Sequence, residues 1–117
     1  MLIVTTPYVA GWRVVEVKGQ VFGLVVRSRG LGGNIMAGLR SIGGGEIKEY
    51  TSLLEDTRRQ AIDRMVQNAT MMGANAILSM RFDSTELANT MSEIVAYGTA
   101  VVLAPDNAPS APPPPLE

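Results

Sequence analysis

The chain contains no cysteine and no histidine. Without thiols no disulfide can form, which suits a reducing compartment and leads us to expect a cytoplasmic protein. The missing imidazole excludes the usual general base near neutral pH and the commonest metal ligand. Cys–His and Ser–His nucleophile pairs are ruled out with it, as are zinc and copper sites built on thiolate or imidazole. Charge is also scarce, at 18% Asp, Glu, Lys and Arg, against about a quarter in ordinary globular domains. Ten basic residues against eleven acidic ones leave a net charge of −1. That balance gives no electrostatic reason to expect a nucleic-acid or anionic-membrane partner. No apolar run approaches the ~20 residues needed to span a bilayer. The start, "MLIVTTPYVAGW", lacks the basic segment and apolar run of a signal peptide.

What remains is a chain of 117 residues with an ordinary apolar fraction of 46%. That is the size of one small domain. Few charges with ordinary hydrophobicity suggest that another chain covers part of its surface. Six of the seven prolines fall between Pro105 and Pro115. We read 1–104 as the domain and 105–117 as a disordered or polyproline II tail. The tail could be a handle for a partner, although such segments are more often spacers. Leu116-Glu117 resembles a cloning scar and carries no weight.

Residues 2–6 read as a short strand stopped by Pro7. Residues 13–27, "RVVEVKGQVFGLVVR", place Val15, Val17, Gly19, Val21, Gly23 and Val25 on one parity. Because that parity continues through Gly19, one long strand bent or bulged at its glycines is preferred to a hairpin. The other parity changes from Glu16, Lys18 and Gln20 to Phe22, Leu24 and Val26. The second half of the strand should therefore be covered on both faces. Asn34 can cap a short helix, "IMAGLRSI", ended by Gly43-Gly44-Gly45. A long helix follows at about 47–72, with Ile47, Tyr50, Leu54, Ala61, Met65, Ala69 and Met72 on one stripe. Glu55–Arg59 and Arg59–Asp63 are spaced to pair on its outer side. Gly73 stands where a C-terminal glycine stop belongs. Two more strands, about 75–83 and 92–104, are joined by the polar "STELANTM". The order strand-strand-short helix-long helix-strand-strand predicts a two-layer α+β fold, its mostly antiparallel sheet packed against one long helix.

Four stretches together carry a resemblance. They are "AGLRSIGGGEIKEYT", the spaced Arg58, Ala61 and Met65, "GANAILSMRFD" at 73–83, and "EIVAYGTAVV" at 93–102. In these the chain resembles the YbjQ family of small bacterial and archaeal proteins, across residues 2–103. The resemblance implies a compact domain with a sheet backed by one long helix, assembling dodecin-like into a ring, a pentamer. The family has carried a heavy-metal-binding label. The residues here oppose it: a soft ion seeks thiolate or imidazole, and Met65 and Met72 lie on the helix stripe as core filler.

The candidate ligand and interface residues are Glu46, Glu49, Tyr50, Arg58, Asp83 and Glu93. The glycine run before Glu46 could cradle a phosphate. It lacks the Lys-Ser/Thr of a Walker loop, however, and Glu46 and Glu49 would repel an anion while favouring the helix start. It reads as a helix boundary, with Tyr50 as a packing residue. A hard cation on Glu46 and Glu49 would lack the oxygen spacing of a calcium loop. Arg58 falls inside the apolar stripe, where it needs an acceptor; Glu93, then Asp83, are the expected partners, with an anion in an interface pocket as the alternative. Asn75 suits a hydrogen-bonded turn. Gly98 is expected to admit a neighbour closely. Arg81 and Asp83 share a strand face that reads as solvated or intersubunit. No catalytic constellation and no cofactor fingerprint emerge, so the expectation is a non-enzymatic homo-oligomer of structural or interaction type. The alternative is a protein holding a small ligand or metal ion between its subunits.

Overall fold

A computed structural model describes residues 1–28, 48–87 and 91–107. The elements are β1 (Leu2–Ile3), β2 (Trp12–Ser28), α1 (Lys48–Met71), β3 (Ala76–Leu87) and β4 (Met91–Pro105). The strands form one sheet in the order β1-β3-β4-β2, with β1 parallel to β3 and the other pairs antiparallel. The architecture is therefore α+β, one long helix on a four-stranded mixed sheet. The short helix expected after Asn34, the glycines at 43–45, Glu46 and residues 108–117 lie outside the described residues. So do the side chains of Glu49 and Tyr50.

The long bulged strand is present: β2 runs 17 residues without a hairpin. Its register against β4 slips twice, between Val14 and Glu16 and between Val17 and Gly19. Gly19 takes φ +122° at the second slip, a conformation that favours glycine. Each slip swaps faces, so the single parity expected along the strand does not survive. Val17 lies opposite Val101, whereas Gly19 lies opposite the adjacent Ala100. Val21, Gly23 and Val25 turn toward the helix and are buried, while Val15 and Val17 are exposed.

The core under α1 gathers Val21, Val25, Ala61, Met65, Ala69 and Ile77, with Ala96 and Ala100 of β4. Small residues let the helix come close. A Cβ built on Gly23 would overlap the Ala61 carbonyl oxygen and the Met65 amide nitrogen. The expected stripe holds at Ala61, Met65 and Ala69 but fails toward the N-terminus. There Thr57 is buried, its hydroxyl donating to the Leu53 carbonyl at 2.8 Å, and Leu54 is exposed. The buried positions 57, 61, 65 and 69 form an i+4 row. Such a row is inclined to the helix axis, so a straight stripe drawn through Ala61 and Leu54 leaves the sheet.

Gly73 ends the helix as expected. At φ +83° it donates to the Thr70 carbonyl while the Ala74 amide donates to that of Ala69, each at 3.0 Å. This is a Schellman stop. Asn75 then clasps Leu103: its amide donates to the Leu103 carbonyl at 3.0 Å, and its carbonyl accepts from the Leu103 amide at 2.8 Å. Gly98 faces a slip in β3 between Leu78 and Arg81, where Ser79 adopts φ 54°. A Cβ on Gly98 would lie 2.7 Å from Ile77 Cγ2 and 2.9 Å from the Leu78 carbonyl oxygen. The expected close approach is present.

Two strand limits differ from expectation. β3 continues through Ser84–Leu87, because the polar residues of the expected connection lie on a sheet edge that β1 does not reach. β1 is shorter than 2–6. Beyond Ile3 the chain still follows β3, with Val4 and Thr6 accepting from the Met80 and Ser79 amides. Val4 and Val9 cover a second small core of Ala76, Leu78, Val101 and Leu103 on the face away from the helix. Arg81 holds this segment by donating to the Thr5 carbonyl at 2.9 Å and makes no ion pair with Asp83.

Candidate functional site

Two features stand apart from the packed core. The first is the outer edge of β2, where Arg64 and Asn68 of α1 donate to the Leu24 and Phe22 carbonyls, the latter at 2.8 Å. These bonds satisfy acceptors that an edge strand would leave open, and they close this part of the edge to another strand. Among the described residues, the face of β2 opposite the helix stays open. Cross-strand pairing puts Trp12, Val14, Val17, Phe22, Leu24 and Val26 on that face, with Val95 and Tyr97 of β4 beside the last three. Phe22 is 53% exposed, Val26 46% and Val17 64%.

The second feature is a cleft of about 440 Å³ where the N-terminal half of α1 overhangs the far end of β3. Thr51, Leu54, Glu55 and Arg58 line it from the helix; spacings of three, four and seven put them on one side. Phe82 and Ser84, opposite Ala96 and Ile94 in register, line it from the sheet, with Ile94 and Asp83. The Arg58 guanidinium carbon stands 5.1 Å from the Phe82 ring centroid. Such a contact contributes about 0.5–1 kcal/mol at an exposed site.

Arg58 therefore meets an aromatic face where a carboxylate was expected. Neither Glu93 nor Asp83 pairs with it. Glu93 precedes Ile94, and alternation along β4 sends it to the sheet's other face, opposite Val26. Asp83 borders the cleft, but it lies opposite Val95 on the sheet's other face and makes no ion pair with Arg58. The helix-surface pairs Glu55–Arg59 and Arg59–Asp63 are also absent. Asp56 is the engaged carboxylate, accepting from Gln60 at 3.0 Å and lying 3.5 Å from Arg27. Sequence reasoning missed Thr51, Glu55, Phe82, Ser84 and Ile94. The helix-side residues could have been found from their spacing to Arg58; the β3 residues could not, since helix-to-strand registry is not a local property.

The donor set lacks the ligands a soft metal ion most often takes. The sequence offers no thiolate or imidazole, and among the described residues no group of three or more Asp or Glu side chains could hold an ion. No helix of the described residues is long and apolar enough to cross a membrane.

Comparison with known proteins gives a consistent kinship. A "UPF0145 protein" of Bradyrhizobium sp. is 66% identical over 105 residues, covering 90% of this chain and 95% of the relative. Another, from Picrophilus torridus, is 56% identical over 105 residues, covering 90% and 89%. One from Methanocella arvoryzae is 54% identical over 112 residues, covering 96% and 93%. Among solved structures, a protein of unknown function of the DUF74 family from Pediococcus pentosaceus superposes with a TM-score of 0.58. It is 15% identical, covering 89% of this chain and 98% of its own, and so supports the fold alone. The family profile described as "Putative heavy-metal-binding" matches residues 1–104, and with these relatives it shows that the chain belongs to the YbjQ family.

Proposed function

We propose that this chain is a self-assembling domain that works by building a closed homo-oligomer, a pentameric ring, in the cytoplasm, and not by catalysis. The observation that carries the reading is the open face of β2. From Val14 to Val26 the strand covers about 40 Å, and with β4 beside it the strip is about 10 Å wide. Allowing for Val101 and Leu103, already covered by Val4 and Val9, roughly 300 Å² of mainly apolar sheet stays open, within the ~300–600 Å² of a monomer's largest and often functional patch. A second copy is the occupant, because it brings an equal patch at equal concentration. The patch lies on an edge strand, to one side of the molecule. Contact between unlike sides of successive copies closes as a ring when the rotation permits. In a ring the proline-rich residues beyond Asp106 would be displayed once per subunit, a multivalent handle for a partner.

Native mass spectrometry and sedimentation of the purified chain test the reading. The expected species is a pentamer that Phe22→Lys with Val26→Lys breaks into folded single subunits. A well-folded single subunit of the unaltered chain at micromolar concentration overturns it.

A further inference from the structure

Glu93 is the one charged residue of β4, and it stands on the open face of the sheet. It is half-buried, with Val26 of β2 and Thr85 of β3 on either side and Met91 and Val95 along its own strand. Asp83 shares this face, opposite Val95. Among the described residues nothing hydrogen-bonds or ion-pairs with Glu93, and Arg81, on the same face, is occupied by the Thr5 carbonyl. A second copy covering this face would take the Glu93 carboxylate from water into a mainly apolar contact, where an unpaired charge is costly. The covering surface must bring a cation to it.

Few of the described cations can do so. Lys18 pairs with Glu16, Arg27 lies beside Asp56, and Arg64 and Arg81 donate to backbone carbonyls. Arg13 sits at the far end of β2, opposite Ala104. Arg59 has a carboxylate one turn away on each side, Glu55 and Asp63. Arg58 stands over the Phe82 ring, with Leu54 and Ile94 beside it, so its surroundings match an apolar face as well as a negative charge. Within one chain the two cannot meet, because Glu93 and Phe82 lie on opposite faces of the sheet. β2 forms one edge of that sheet, and at this end β3 forms the other. Surfaces on opposite edges and opposite faces come together between copies that overlap head to tail, the contact that closes a ring. We propose that Glu93 of one copy pairs with Arg58 of the next, which fixes the cleft side of α1 as the counter-surface to the open face. This inference rests on the proposed assembly through β2.

The test measures the protein concentration at which the assembly dissociates, by sedimentation and native mass spectrometry, with circular dichroism reporting the fold. Glu93→Arg and Arg58→Glu each bring like charges together, and each should raise that concentration at least about tenfold. Combined in one chain they should return it to within about threefold of the unaltered value, the scatter expected of independent sites. Arg59→Glu, one residue along the helix, is the control and should change it by less than about threefold. Where a reversal unfolds the subunit, Glu93→Gln and Arg58→Gln replace it. Each alone should weaken assembly, and the second should add nothing once the first is made. Assembly that neither reversal weakens, or effects that simply add in the double variant, overturns the pairing and leaves the proposed assembly standing. A single subunit of the unaltered chain at micromolar concentration overturns both.

Discussion

β2 shows two faces of one strand in two different situations. Val21, Gly23 and Val25 lie under α1, and at Gly23 the helix backbone sits where a methyl group would be. Phe22, Leu24 and Val26, as apolar as their neighbours, face outward with no cover from the described residues. The comparison teaches that hydrophobic patterning states how many faces need cover, not where cover comes from. One helix cannot lie on both sides of a sheet, so among the described residues the second face has no cover.

Substitutions on the two faces should separate folding from association. The largest effect belongs to Gly23→Ala. Its methyl group meets backbone, which cannot rotate away, so the cost should exceed the ~1–3 kcal/mol typical of overpacking. The melting temperature should fall by more than about 12 °C; a drop of only a few degrees would mean that α1 is not seated so closely. Met65→Ala comes next. It empties a fully buried site and should cost about 2–4 kcal/mol in denaturant unfolding. On the opposite face Phe22→Ser should barely change the unfolding free energy of a dissociated subunit, by within about 0.5 kcal/mol. It should nevertheless raise the protein concentration needed for assembly, and a loss of subunit stability comparable to that of Met65→Ala would abolish the contrast between the faces.

Smaller effects test the joints. Asn75→Ala removes both hydrogen bonds to Leu103 and should cost about 1–2 kcal/mol, with faster amide exchange at Leu103 as the local sign. Asn68→Ala frees the Phe22 carbonyl at an exposed edge, where water replaces the donor. We expect a loss of about 0.5–1 kcal/mol, measured by chemical denaturation.

Local features were legible because their causes are local. Gly73 stops the helix through its own φ and its neighbours' hydrogen bonds. Gly98 lies opposite the slip in β3, and its role as a close-approach site could be read from a glycine inside a strand. The β2 bulges were legible in kind but not in consequence, since each register slip moves the next side chain to the other face. Arg58 was expected inside the apolar stripe with a carboxylate partner; it is exposed and meets an aromatic ring instead. A helical wheel places it beside Leu54, but the angle between helix and sheet brings Phe82 beneath it. Arg64 and Asn68 read as ordinary surface residues, and their bonds to β2 carbonyls depend on a contact 40 and 46 residues away.

Composition alone, lacking imidazole and thiol, withdrew thiolate- and imidazole-bound metals and histidine-activated nucleophiles, since no arrangement in space can create an absent functional group. Periodicity and glycine placement likewise determined one long helix, long bulged strands and their order, because each depends on neighbours within a turn or a pleat. Only the tertiary structure decided which apolar face α1 occupies, and that Arg58 meets Phe82. Both follow from the packing angle of the helix on a twisted sheet, a property of the whole domain.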